Sequence, residues 1–285
     1  MKVDLHCHTD ISDGSFSFEE VLKMALKENV SHLAITNHDT TIALEEMGIL
    51  ADEAGVEFIP GVEISAYDFH RNRRIHVLGY YVETGHHAIE QLCAPLLKER
   101  HEASYKMVHQ LKEAGYDISW EHVQTYAQNG TAVYKQHIMH ALINNGYTAS
   151  IYGDLYKKLV SRGKNGEAPG LAFVPVEYVD AKLAVQAIIE AGGVPVLAHP
   201  GQYDSFEAVP ELVESGLQGI EVWHPLHGEE DEKKAKQLAE EFHLVMTGGT
   251  DFHGFYGEKE ILLGSKSPEV ACVDELKKRK ELILK

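Results

Sequence analysis

Short apolar segments that run straight into histidines and acids recur along this chain, and that recurrence constrains the fold more than any other feature. The first is Lys2-Val3-Asp4-Leu5, which leads into His6-Cys7-His8 and then Ser12-Asp13-Gly14. His32 to Thr36 leads into Asn37-His38-Asp39, and Glu57 to Ile64 carries Glu63 near its end. Val194 to Ala198 leads into His199, Gly219 to Trp223 into His224, and Leu244 to Met246 into a glycine-rich stretch ending Asp251-Phe252-His253. Apolar runs of this length bounded by turn residues read as strands. Alternation places His6 and His8 on one side of the first strand, roughly 6 to 7 Å apart at Cα. An isolated pair of this kind is more often two surface histidines than two ligands. Repetition of the pattern at strand after strand reverses that balance.

Between the strands lie helical patterns. Ser17-Phe18-Glu19-Glu20 fits a capping box and opens a helix to about Asn29, with Val21, Leu22, Ala25 and Leu26 on one face. Thr41 to Ala54 is the next helix, and the third strand is expected to break at Pro60-Gly61. Ile75 to Val82 is the exception to the rhythm. Only Ser65 to Arg74 separates it from the strand before, too short for a parallel crossover, so the two form an antiparallel hairpin that sets His76 across from Glu63. From Gly85 to about Ala172 the pattern is helical: His86 to Ala94, Pro95 to Ala114 with Pro95 as a helix start, Ser119 to Gln128, Tyr134 to Asn145 and Ile151 to Arg162. Arg162 to Gly166 reads as a mobile exit loop. Helices at Val179 to Ala191, Phe206 to Ser215 and Glu230 to Phe242 then alternate with the last three strands, and a basic helix from Pro268 to Leu284 closes the chain. Seven strands alternating mostly with helices make a parallel α/β architecture, and closure brings the first strand beside the seventh. Residues 1–84 and 173–285 are expected to form it, with 85–172 a helical insertion that caps the substrate.

Composition narrows the function. The formal charge of −18 makes the chain a poor candidate for gripping long nucleic acid, which calls for a basic face, although bound cations would offset it locally for a small phosphorylated substrate. No run of apolar residues is long enough to span a membrane. The N-terminus lacks the regions of a signal peptide, and three widely spaced cysteines, Cys7, Cys93 and Cys272, point to a reducing, cytoplasmic setting.

In α/β barrels the site lies at the carboxyl ends of the strands. Gathered there are His6, His8, Asp13, His38, Glu63, His76, His199, Asp251 and His253. Nine nitrogen and carboxylate donors without a thiol suit Mn²⁺, Fe²⁺ or Zn²⁺. They are too many for one ion and enough for three if a carboxylate bridges two. Taken together, HCHTDISDG, TNHDTT, GVEIS, HVLGY, LAHPG and TDFHG resemble the PHP (polymerase and histidinol phosphatase) family, and within it the stand-alone branch of metal-dependent phosphoesterases. The resemblance implies a distorted (β/α)7 barrel with three divalent metals, commonly Mn²⁺. It places His6, His8, Glu63 and Asp251 on the first metal, the bridging Glu63 with His76 and His199 on the second, and Asp13, His38 and His253 on the third.

A hydroxide bridging such metals would be the nucleophile, and Asp251 the acceptor of its proton. His224 is the candidate leaving-group acid, and His227 a weaker one. Cys7 should point away from its neighbours into the core. Related phosphatases carry a Gly-Arg-Pro-His stretch in the insertion, with the arginine on a second phosphate. Here Tyr134-Lys135-Gln136-His137 stands there, so Lys135 and His137 are candidate substrate-binding residues, although lysine lacks the arginine fork. The expected activity is hydrolysis of a phosphate ester of a small metabolite, a 3′,5′-nucleotide bisphosphate first. A cyclic sugar phosphate, or 5′-3′ trimming of short RNA, is the alternative. A non-catalytic binding module would have lost ligands, and none is missing here.

Overall fold

The computed structural model describes residues 1–163 and 167–285, so the expected exit loop lies outside the described residues except for Arg162 and Gly163. Its sheet is built from β1 (Lys2–Asp4), β2 (Val30–Ile35), β3 (Glu57–Asp68), β4 (Arg73–Tyr80), β5 (Val179–Asp180), β6 (Val194–Leu197), β7 (Gly219–Trp223) and β8 (Val245–Gly248). The order is β1-β2-β3-β4-β6-β7-β8, with the two-residue β5 pairing on β3. The seven strands of that path are the seven expected. All neighbours on it are parallel except at β4, which runs antiparallel to both β3 and β6. The two edges meet: Leu5 N–H donates to Gly248 O at 3.2 Å and His8 N–H to Phe252 O at 2.9 Å. The first strand therefore stands beside the last, as expected.

The hairpin register differs from expectation by two residues. His76 pairs with Ser65, and Glu63 pairs with Leu78. Because alternate residues share a face, Glu63, Ser65 and Tyr67 still lie on the same side as His76 and Arg74. The expected break at Pro60-Gly61 is absent. Proline forfeits only its donor there, and its carbonyl still accepts from Tyr81 N–H at 2.7 Å. β3 consequently runs for 12 residues and carries the hairpin beyond the ends of the other strands.

Helices cover the sheet. The capping box at Ser17 forms as read: Ser17 N–H donates to Glu20 Oε2 at 2.9 Å and Glu20 N–H to Ser17 Oγ at 3.4 Å. Phe18, Val21, Leu22 and Ala25 bury the apolar stripe of that helix. Pro95 is a correction: it starts no helix but sits inside one continuous helix, His87–Glu113. An interior proline costs about 3 kcal/mol, and packing at both ends of the helix offsets it. Ile89 and Cys93 join the core under the sheet, whereas Met107, Val108 and Leu111 join a second core with Ile138, Leu142 and Leu159. The other helices of the stretch are shorter than expected: Trp120–Gln124, Lys135–Asn144 and Asp154–Leu159. Among the described residues no helix is long and apolar enough to cross a membrane.

One contact fixes how closely the sheet edges approach. A Cβ on Gly249 would lie 2.4 Å from both the backbone nitrogen and the Cβ of His6. Gly48, inside the helix Leu44–Glu53, has only Phe58 at 3.5 Å. Gly249→Ala is therefore expected to destabilise by about 1–3 kcal/mol through overpacking, and Gly48→Ala to stabilise by roughly 0.5–1 kcal/mol through helix propensity. Thermal unfolding of both variants checks the pair; a neutral Gly249→Ala would show that the edges are not locked together.

Candidate metal centre

The centre is built around Glu63, which β3 delivers into the interior at 1% exposure. Its Oε1 lies 2.7 Å from His76 Nδ1 and 2.8 Å from His199 Nε2. Its Oε2 lies 3.1 Å from His8 Nε2, 3.2 Å from His6 Nε2 and 3.4 Å from His38 Nδ1. Asp251 Oδ1 stands 3.2 Å from Nε2 of both His6 and His8. Four atoms from three strand ends thus surround one point. Separations of 3.1–3.2 Å match those between neighbouring ligand atoms around an ion with bonds of about 2.1 Å.

A second group gathers His8, Asp13, His38 and His253, and a third joins His38, Glu63 and His76. Asp13 Oδ1 is 3.3 Å from His253 Nε2, and Oδ2 is 3.8 Å from His38 Nε2. His6 Nε2, His8 Nε2, Asp13 Oδ1, His199 Nδ1 and Asp251 Oδ1 are buried without a hydrogen-bond partner. A buried polar atom left unsatisfied costs about 1–3 kcal/mol; these five of the eleven such side-chain atoms among the described residues, all imidazole nitrogen or carboxylate oxygen, gather in one place and fit divalent cations. Cys7 contributes nothing to them; it lies in the core, as expected.

The electrostatics agree. Burial opposes the charged form of Glu63, but His38, His6 and His76 outweigh it and hold the carboxyl well below the usual range. Asp251 behaves likewise beside His6 and His253. Burial lowers His76 to about 4 and also lowers His38, leaving both rings neutral, the form that binds metal, whereas the neighbouring carboxylates overcome burial to raise His6, His199 and, to about 10, His253, so these three would release a proton on binding an ion. The backbone is strained where it presents these groups: φ is 23° at His199, 49° at Asp251 and 60° at Asp39, in a region that side chains seldom adopt.

Surrounding residues aim the set. Asn37 Oδ1 accepts from Thr9 N–H at 2.8 Å and Ser12 Oγ at 3.0 Å, shaping the turn between His8 and Asp13. Asp4 accepts from Thr250 N–H at 2.9 Å and Gly264 N–H at 2.8 Å, tying β1 to the segment that carries Asp251. Glu221, fully buried mid-strand in β7, was missed in the sequence. Its Oε1 lies 3.0 Å from His6 Nδ1, and its Oε2 accepts from His199 N–H at 2.8 Å. One acid thereby orients two of the clustered histidines. The available signal was an acid inside an otherwise apolar strand.

The remaining candidates separate. His224 Nδ1 accepts from Leu226 N–H at 3.2 Å, which leaves its Nε2–H to donate to Asp251 Oδ2 at 3.3 Å. Both nitrogens of His227 are spent on backbone: Nδ1 on Val222 O at 2.8 Å and Nε2 on Gly201 N–H at 3.1 Å. His137 Nδ1 accepts from Tyr134 N–H at 3.1 Å at a helix start, and the residue does not line the cavity. Lys135 does line the cavity, a space of about 1190 Å³ that opens on the centre. Gln136, not anticipated, reaches the centre directly, donating to Asp13 Oδ2 at 3.0 Å.

The chain matches the PHP domain over residues 4–191. It is 44% identical over 254 residues to a phosphoribosyl 1,2-cyclic phosphate 1,2-diphosphodiesterase of Eggerthella lenta, covering 89% of this chain and 95% of that one. It is 32% identical to the 5′-3′ exoribonuclease Rnm of Salmonella typhimurium (88% and 84% covered). It is 28% identical to a 3′,5′-nucleoside bisphosphate phosphatase of Chromobacterium violaceum (88% and 87% covered). A solved chain from Bifidobacterium adolescentis, described as a metal-dependent phosphoesterase, superposes with a TM-score of 0.87 at 27% identity, covering 97% of this chain and 96% of that one.

Glu221→Gln is expected to weaken divalent-ion binding by roughly 10–100-fold, the usual effect of removing a partner that orients a histidine ligand. Competition against a fluorescent chelator measures it; unchanged affinity would reduce Glu221 to a packing role.

Proposed function

This chain belongs to the PHP domain family, and from that premise we propose that it is a metal-dependent phosphoesterase whose substrate is a cyclic phosphate of a phosphorylated sugar. The observation that carries the chemistry is the convergence of His6, His8, Glu63 and Asp251 at 3.1–3.2 Å on one point. The substrate class is supported by 44% identity over nearly the full length of a cyclic phosphate diphosphodiesterase, which moves the cyclic sugar phosphate ahead of the nucleotide bisphosphate ranked first on sequence. A bisphosphate or a short 5′-phosphorylated RNA would use the same centre.

In this reading three ions are held, Mn²⁺ in the cell: one by His6, His8, Glu63 and Asp251, one by Glu63, His76 and His199, and one by Asp13, His38 and His253. Bound there, such ions lower the pKa of water toward neutrality and neutralise phosphoryl oxygens. Asp251 accepts the proton of the attacking water at Oδ2. His224 holds that oxygen through its Nε2–H at 3.3 Å; neutral, with Nδ1 accepting from Leu226 N–H, it can protonate the leaving oxygen only by taking over in exchange the proton that Asp251 received from the water. Residues 85–172 cap the cavity, and Lys135 contributes positive charge to its wall. A cytoplasmic site agrees with three buried, unpaired cysteines.

Phosphate release by the Mn²⁺-loaded protein, across a cyclic ribose phosphate, a 3′,5′-bisphosphate, histidinol phosphate and a short 5′-phosphorylated RNA, tests the assignment. The cyclic sugar phosphate is expected to give the highest kcat/KM, and another member of the panel outranking it would replace that substrate. Asp251→Asn is expected to lower kcat and kcat/KM together by several orders of magnitude, because the residue acts in the transition state. A rise in KM alone would make Asp251 a binding residue.

A further inference from the structure

The clustered donors differ in what holds them. Glu221 from β7 orients His6 and His199, His224 holds Asp251, and Asp4 ties down the segment that carries Asp251. Glu63 and His76 lie on the β3–β4 hairpin and bond each other. All of these partners belong to the sheet or to its strand ends. Among the described residues, no side-chain hydrogen bond of His6, His8, Glu63, His76, His199 or Asp251 reaches residues 85–172.

Asp13, His38 and His253 are held from the other side. Gln136, on the helix Lys135–Asn144, donates its amide to Asp13 Oδ2 at 3.0 Å and to the Tyr152 hydroxyl oxygen at 3.1 Å. Asp13 Oδ1 is left as the oxygen without a hydrogen-bond partner, 3.3 Å from His253 Nε2. The turn leading to Asp13 is pinned as well: Thr131 N–H donates to Ile11 O at 2.9 Å, and the Asn129 amide to Asp10 Oδ2 at 2.7 Å. Gly130 passes so close that a Cβ on it would lie 3.2 Å from Asp10 O. Beside His38, Arg100 bonds Asp39 and Ser65, and the Tyr134 ring stacks on the imidazole with centroids 6.3 Å apart. Three residues beyond His253, the Tyr256 hydroxyl lies 2.9 Å from His140 Nδ1. Three donors from three different strand ends thus have partners, directly or through a neighbour, on the same helical segment.

An amide donor on one carboxylate oxygen fixes the side-chain rotamer and decides which lone pairs remain for a cation. We propose that the centre divides two and one: the helical segment, chiefly through Gln136, sets the affinity for the ion of Asp13, His38 and His253, while the sheet alone sets the affinity for the other two. Gln136 is a positioning residue, acting through Asp13. This rests on the three-ion reading above and deepens it, because occupancy of the third position then depends on how 85–172 is seated. Coupling of this kind is reciprocal. A segment whose docking favours the ion must itself be docked more firmly once the ion is bound, so a seated cavity wall and a complete centre occur together.

The test counts ions rather than turnover. Metal-free protein is titrated with Mn²⁺ while the paramagnetic resonance of the free ion reports what remains unbound. The unaltered chain should take up three ions. Gln136→Met keeps the side-chain length and the helix propensity and removes the donor. It should retain two ions at unchanged affinity and hold the third roughly 10–100-fold more weakly. His140→Phe keeps a ring against Tyr126 but removes the partner of the Tyr256 hydroxyl, and it should weaken the same ion. Hydrogen exchange gives the reciprocal reading: amides from Asn129 to Gln136, Thr131 N–H among them, should gain protection as the third ion binds. Equal third-ion affinity in all three proteins, or weakening of all three ions alike, would overturn the proposal. So would exchange in 129–136 that ignores the third ion. Fewer than three ions on the unaltered chain would sink the three-ion reading and this inference with it. Three ions with the stated losses, on a chain that releases no phosphate from the panel above, would keep this inference and sink the phosphoesterase reading.

Discussion

One buried carboxylate organises this molecule. Glu63 lies within 3.4 Å of five imidazoles, from His6, His8, His38, His76 and His199, which arrive on four different strands or strand ends. Burying a carboxylate is costly unless charge and hydrogen bonds compensate it. Here the compensation is distributed around the sheet, so the four strands that supply these histidines converge on the same acid. Positive φ at His199 and Asp251 is the local cost of turning those side chains inward.

The sheet and the helical segment meet over that carboxylate. The helix His87–Glu113 belongs to both cores, and Arg100 on it donates to Asp39 Oδ2 at 2.8 Å and Ser65 Oγ at 3.0 Å, next to His38 and Glu63. Gln136 makes a second link, to Asp13. The helical segment is therefore tied to the strand ends that carry the clustered donors.

Much of this was legible in the sequence because the strand rhythm and the donors coincide. His6, His8, Asp13, His38, Glu63, His76, His199, Asp251 and His253 were readable as residues that follow or end apolar runs, and the structure brings them together. What escaped had a weak local signal or none. Glu221 sits in the middle of β7 rather than at its end, and an acid inside an apolar strand does not by itself say that it meets His6. The continuity of the helix through Pro95 is decided by tertiary packing at both of its ends, which overrides the local rule. The hairpin register depends on strand length, and a third strand read as ending at Ile64 hid the rungs that carry Tyr67 and Arg74. His137 was named because it matches the histidine of the Gly-Arg-Pro-His stretch; at the helix start its Nδ1 accepts from Tyr134 N–H instead, and Lys135, not His137, lines the cavity.

The central claim is that the donors around Glu63 exist to hold metal, and stoichiometry tests it most directly. Elemental analysis of protein purified with Mn²⁺ and without chelator should give three divalent ions per chain. One ion or none would contradict the account, leaving a carboxylate stabilised by imidazoles alone.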